Sequence, residues 1–67
     1  MIDRDEALIA VIRQFVKENG YAPTIREIAE LMDVSIGTAS QRLQDLADNG
    51  KIVRRERVAR GYRLRGM

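Results

Sequence analysis

The sequence predicts a small, mainly α domain with a β-hairpin near its end. Three observations carry that expectation. Apolar residues recur at helical spacing as far as residue 47. Asn-Gly pairs at 19–20 and 49–50 close two of the helical segments. Beyond Gly50 the pattern changes to β-branched and aromatic residues, with apolar Tyr62 and Leu64 alternating around Arg63. A chain of 67 residues fits one domain, residues 1–67. A domain of this size buries only about 60% of the surface its unfolded chain exposes, so modest stability is expected.

The first helical segment is "RDEALIAVIRQFVKENG", with Leu8, Ile9, Val11, Ile12, Phe15 and Val16 as its apolar residues. Asp3, Asp5 and Glu6 cluster at its start, where the helix dipole favours negative charge. An Asn-Gly pair also suits a hairpin turn, but the preceding period of 3.6 makes Asn19-Gly20 a helix end. Pro23 pushes Ala22 toward an extended conformation, so Tyr21–Pro23 is expected to be a short extended piece or strand. Thr24 and Glu27 form a capping box for a second, short helix ending near Met32. Its apolar face is expected to hold Ile25, Ile28, Ala29, Leu31 and Met32.

A three-residue turn, "DVS", leads to a third helix over 35–49 with Ser35 as N-cap. Ile36, Ala39, Leu46 and Ala47 all fall within about 60° of Leu43 on a helical wheel and should face the core. Thr38, Gln41 and Asp45 lie opposite, with Ser35, Gly37 and Arg42 on the flanks. Strands are expected near 51–56 and 61–65, with a tip at Arg57–Arg60. A lone hairpin is unstable in water, so it must pack on the helices, with "YAP" as a candidate third strand.

Two helices joined by so short a turn form a helix-turn-helix. With the hairpin, the whole reads as a winged helix-turn-helix: three helices plus a β-wing. In that motif the second helix of the pair enters the DNA major groove, with base contacts near its N-terminus. Ser35, Gly37, Thr38, Ser40 and Gln41 are the candidate base-reading residues, being short or amide-bearing. Gln pairs bidentately with adenine, and a Thr methyl packs on the thymine methyl. Asp45 and Asp48 would repel phosphates, so that end of the helix must point away from the duplex.

Charge supports a polyanionic partner. Residues 1–33 carry a net of −3 and residues 34–67 a net of +5. Seven cations, six of them Arg, lie between 51 and 65. Lys51, Arg54, Arg55, Arg57 and Arg60 are candidates for phosphate or minor-groove contact, with Thr24, Arg26 and Arg42 as further backbone contacts. The expected partner is double-stranded DNA. A module of this size buries about 600–1,000 Å² on DNA, so a second copy on a repeated site is the natural route to specificity.

The chain holds neither His nor Cys, so no enzyme, cofactor or metal site is expected. Its apolar runs are too short to span a membrane, and the acid-bearing start does not read as a signal peptide, which leaves the cytoplasm as the expected location. The alternatives are a protein-binding winged helix using Ile36 and Val58, an accessory factor of a DNA transaction, or an RNA binder. Three aromatic residues, Phe15, Tyr21 and Tyr62, are few for a base-stacking platform.

The segments "ENGYAPTIREIAELMDVS", "LQDLADNGKI" and "ARGYRL" together resemble the amino-terminal winged helix-turn-helix of LexA-type SOS repressors. The likeness covers about residues 4–65. It implies sequence-specific binding by a transcriptional regulator, with Ser35, Gly37, Thr38, Ser40 and Gln41 over the operator and Arg60 as the retained wing residue. Two departures stand out. Gly37, Ser40 and Gln41 replace the family's Asn and paired Glu, which implies a different operator. Asp33 replaces the usual turn Gly, a change that Asp tolerates in the left-handed region. The likeness does not extend to the family's self-cleaving domain, which carries a Ser-Lys pair and most dimer contacts, so it implies neither proteolysis nor that dimerisation here.

Overall fold

Each of the three helices starts on a short polar side chain and is followed by a left-handed residue. This holds in the computed structural model, which describes residues 3–55 and 60–65. Helix α1 (Arg4–Asn19) is capped by Asp3, whose carboxylate accepts the Glu6 N–H at 2.9 Å, and it stops at Gly20 with φ 81°. Helix α2 (Ile25–Met32) carries the complete Thr24–Glu27 capping box and ends at Asp33 with φ 55°. Helix α3 (Ile36–Asp48) is capped by Ser35 and followed by Asn49 and Gly50, the latter at φ 72°.

The last two stops share a mechanism. Val34 N–H bonds Ala29 O at 3.0 Å, and Lys51 N–H bonds Leu46 O at 2.9 Å. Each bond reaches back five residues, so each helix ends in a Schellman turn that satisfies a carbonyl otherwise left unpaired. Asp33 therefore does the work of the expected turn glycine.

The hairpin consists of β1 (Ile52–Arg54) and β2 (Tyr62–Leu64), antiparallel, with Ile52 opposite Leu64, Val53 opposite Arg63 and Arg54 opposite Tyr62. Both strands are shorter than expected. The expected tip falls partly on 56–59, which lie outside the described residues. Ile52, Tyr62 and Leu64 turn inward, and Val53 and Arg63 turn out. The core combines them with Leu8 and Ile12 of α1, Ile28 and Ala29 of α2, and Ala39, Leu43 and Leu46 of α3.

Three expectations are corrected. The "YAP" segment forms no strand: the sheet among the described residues has two strands. Pro23 has no N–H to give a ladder, and its carbonyl is taken by the Tyr62 hydroxyl at 2.6 Å. Ala22 and Pro23 are instead buried beneath the hairpin's inner face. Leu31 is 56% exposed, because it sits about 110° from the middle of the buried Ile28–Ala29 pair at 100° per residue. Ile36 is 51% exposed. Its angle matches Leu43, but it occupies the first helical position, where the helix has already left the core.

Candidate nucleic-acid interface

The first turns of α3 bring together the five residues expected to read bases. Ser35, Gly37, Ser40 and Gln41 are exposed, and Thr38 is half-buried. Their chemistry is unequal. Ser35 Oγ accepts the Thr38 N–H at 3.1 Å and donates to Thr38 Oγ1 at 3.0 Å. Ser35 is thus committed to capping, while Thr38 Oγ1 accepts from it and keeps its own O–H to donate. Gln41 Nε2 donates to Asp45 Oδ1 at 3.0 Å, one turn along the same face. That bond orients the amide and leaves its oxygen and second N–H for a base edge. Gly37 leaves open space: a Cβ built there would meet only Ser35 Oγ, at 3.9 Å.

The basic set divides more sharply. Lys51 Nζ lies 3.0 Å from Asp5 Oδ2, and Asn49 Nδ2 donates to the same oxygen at 3.0 Å. That cluster ties the start of β1 to the first turn of α1. Arg54 Nη1 donates to Gln44 Oε1 at 3.3 Å, linking the hairpin to α3. Arg60 Nη1 meets Glu27 Oε1 at 2.8 Å and Ala22 O at 3.0 Å. Arg55 is exposed beyond β1. Arg57 lies outside the described residues.

Among the remaining candidates, Thr24 is half-buried, with its N–H donating to Glu27 Oε1 at 2.8 Å and its Oγ1 accepting the Glu27 N–H at 3.2 Å. Arg26 is exposed on the first turn of α2, and Arg42 is half-buried on α3. Sequence reasoning left out Arg63 and Arg65, both exposed on the return side of the hairpin. The charge run included them, and the alternation with Tyr62 and Leu64 already put Arg63 on the opposite face; the strand register adds that it pairs with Val53.

The ion pairs shape the pH response. Hydrogen bonds from Lys51 and Asn49 hold the Asp5 carboxyl below the usual carboxylate range, and the Thr24 backbone N–H and Arg60 do the same for Glu27. Both groups bind protons less readily when folded, so their contribution is complete above the ordinary carboxylate pKa of about 4.3. It is lost as pH falls through that value toward the lowered one. Burial pushes the Tyr62 phenol well up from its usual value, so its contribution is complete below about pH 10 and is lost as pH rises beyond that. The thermal midpoint, followed by circular dichroism, is expected to be flat between about pH 5 and 10 and to decline on both sides. Asp5→Asn should shallow the acid decline, and Tyr62→Phe the alkaline one.

A helix-turn-helix that exposes small polar residues at the start of its second helix, followed at once by a cation-bearing hairpin, is the architecture of winged helix-turn-helix DNA-binding domains. The chain belongs to the LexA DNA-binding domain family, whose profile matches residues 1–61. It is 40% identical over 65 residues to LexA repressor 1 of Geobacter sulfurreducens, an alignment covering 94% of this chain and 32% of that protein. It is 37% identical to the LexA repressor of Halorhodospira halophila, covering 96% of this chain and 29% of the relative. For the LexA repressor of Roseiflexus sp. the identity is 34%, with 96% and 30% covered. The chain thus spans about a third of the length of the curated relatives it matches. Among the described residues, no helix is long and apolar enough to cross a membrane.

Proposed function

We propose that residues 1–67 make one winged helix-turn-helix domain that reads double-stranded DNA and serves as the operator-binding part of a transcriptional repressor. The relatives' names as LexA repressors support the regulatory role. The observation that carries the reading is the exposed, small-residue start of α3, open at Gly37 and edged by Ser40 and Gln41. Thr38 offers a methyl and the O–H of a hydroxyl that accepts from Ser35. On the hairpin, Arg54, Arg55, Arg63 and Arg65 are exposed cations suited to phosphate, with Arg57 of the same run as a fifth. Arg26 and Arg42 flank the helix pair as further backbone contacts. A second copy on a repeated site would supply the specificity that one small footprint lacks.

Selection of bound duplexes from a random pool tests this reading, and one or two half-sites in the selected sequences would give the stoichiometry. Arg55→Ala is expected to weaken binding to all duplexes alike and to reduce the log–log salt slope by about 0.9, the value for one phosphate. Gln41→Ala is expected to change base preference at one position, at about 1–3 kcal/mol for the favoured base. Retention on DNA that does not respond to salt would point instead to a protein partner.

A further inference from the structure

Arg60 belongs to the expected wing tip, where a phosphate contact is the obvious expectation, yet its guanidinium is turned onto the body of the domain. Besides Glu27 and the Ala22 carbonyl, it lies 4.5 Å over the Tyr21 ring, within cation–π range. Tyr21 in turn meets Phe15 of α1 edge-on, with ring centroids 5.8 Å apart. The Glu27 oxygen that takes Arg60 also accepts the Thr24 N–H, so the guanidinium joins the capping box of α2. Two residues later, Tyr62 bonds the Pro23 carbonyl. The return strand is therefore pinned at two points to the segment that enters α2, and α2 is fixed to α3 by the Asp33 turn. A planar, multi-donor fork suits simultaneous contacts of this kind: Nη1 serves both Glu27 and Ala22, and a phosphate on Nη2 or Nε would have to share the charge with that carboxylate.

From this geometry we infer that Arg60 is a positioning residue, not a phosphate ligand. Through Glu27 and Tyr21 it sets the angle of the wing to α3. Its effect on duplex binding rests on the DNA-reading function proposed above.

The two roles make opposite predictions for Glu27→Gln. Glutamine keeps a side-chain oxygen for the cap but removes the charge that holds Arg60. If Arg60 positions the wing, Glu27→Gln and Arg60→Gln both lower duplex affinity, by about fivefold, the scale of an exposed ion pair with its hydrogen bond. The salt slope then stays at the wild-type value, and Arg60→Lys recovers part of the loss. Affinity is measured across a salt series at a temperature where circular dichroism shows each variant folded. If Arg60 is a phosphate ligand, Glu27→Gln frees it and affinity rises, while Arg60→Gln lowers the slope by about 0.9. That pair of results overturns the inference, as does an unchanged affinity in folded variants whose thermal midpoint alone has dropped. Should Arg60→Gln not fold, Arg60→Lys and Glu27→Gln still separate the outcomes. Wild-type binding without salt dependence sinks the DNA reading itself and this inference with it; a steep wild-type slope with rising affinity in Glu27→Gln sinks the positioning role alone.

Discussion

Leu43→Ala is expected to destabilise the domain by about 2–5 kcal/mol, the range for deleting a buried leucine side chain from a packed core. A protein of this length has roughly 3–10 kcal/mol in total, at about 0.05–0.15 kcal/mol per residue, so much of the population should unfold. Leu43 is 1% exposed and sits at the middle of α3. That helix packs against α1, α2 and β1, so a cavity at Leu43 loosens every layer at once. The matched control is Leu31→Ala. Leu31 is 56% exposed and should cost no more than about 0.5 kcal/mol. Urea denaturation of both variants with shared slopes gives the comparison. Equal costs would mean that α3 does not carry the core.

The three helices were legible in the sequence because their ends are local chemistry. Asp or Thr or Ser at each start and Asn-Gly or Asp at each stop act within five residues of where they stand. The inward alternation of Tyr62 and Leu64 was legible for the same reason. Failures came where position along an element, or contact across the chain, decides the outcome. Ile36 has the right angle for burial and the wrong depth. Pro23 reads as extended, yet what holds it is a hydroxyl 39 residues away. Charge was the most misleading signal. The acidic first half and basic second half look like separate fields, but Asp5 pairs with Lys51 and Glu27 with Arg60. Two of the cations counted toward DNA are therefore held in surface ion pairs with the helical body. Among the described residues, the exposed hairpin cations outside those ion pairs are Arg54, Arg55, Arg63 and Arg65. A capping motif identified Glu27 correctly for one of its oxygen's bonds and said nothing of the second, because that partner, Arg60, belongs to the hairpin far along the chain.

Gly37 yields the most discriminating prediction, since stability and binding should move in opposite directions. Gly37 lies in the first turn of α3 without a positive φ, and a Cβ there meets nothing closer than 3.9 Å. The fold therefore has no steric need for glycine. Gly37→Ala should stabilise the protein by a few tenths of a kcal/mol to about 1, by restricting the unfolded chain and improving helix propensity. If the residue is small because the helix approaches base edges, the same methyl should weaken specific binding. A longer side chain makes the contrast larger. Gly37→Met should keep the gain in helix propensity and still lower specific affinity by tenfold or more, about 1.4 kcal/mol or above. Nonspecific affinity, set by the phosphates, should change far less. Thermal unfolding gives the first quantity, and competition between selected and scrambled duplexes gives the others. Unimpaired specific binding by Gly37→Met would place the duplex somewhere other than the start of α3. A loss of stability in Gly37→Ala would instead make the glycine a feature of the fold, and the openness of that surface would no longer argue for a groove.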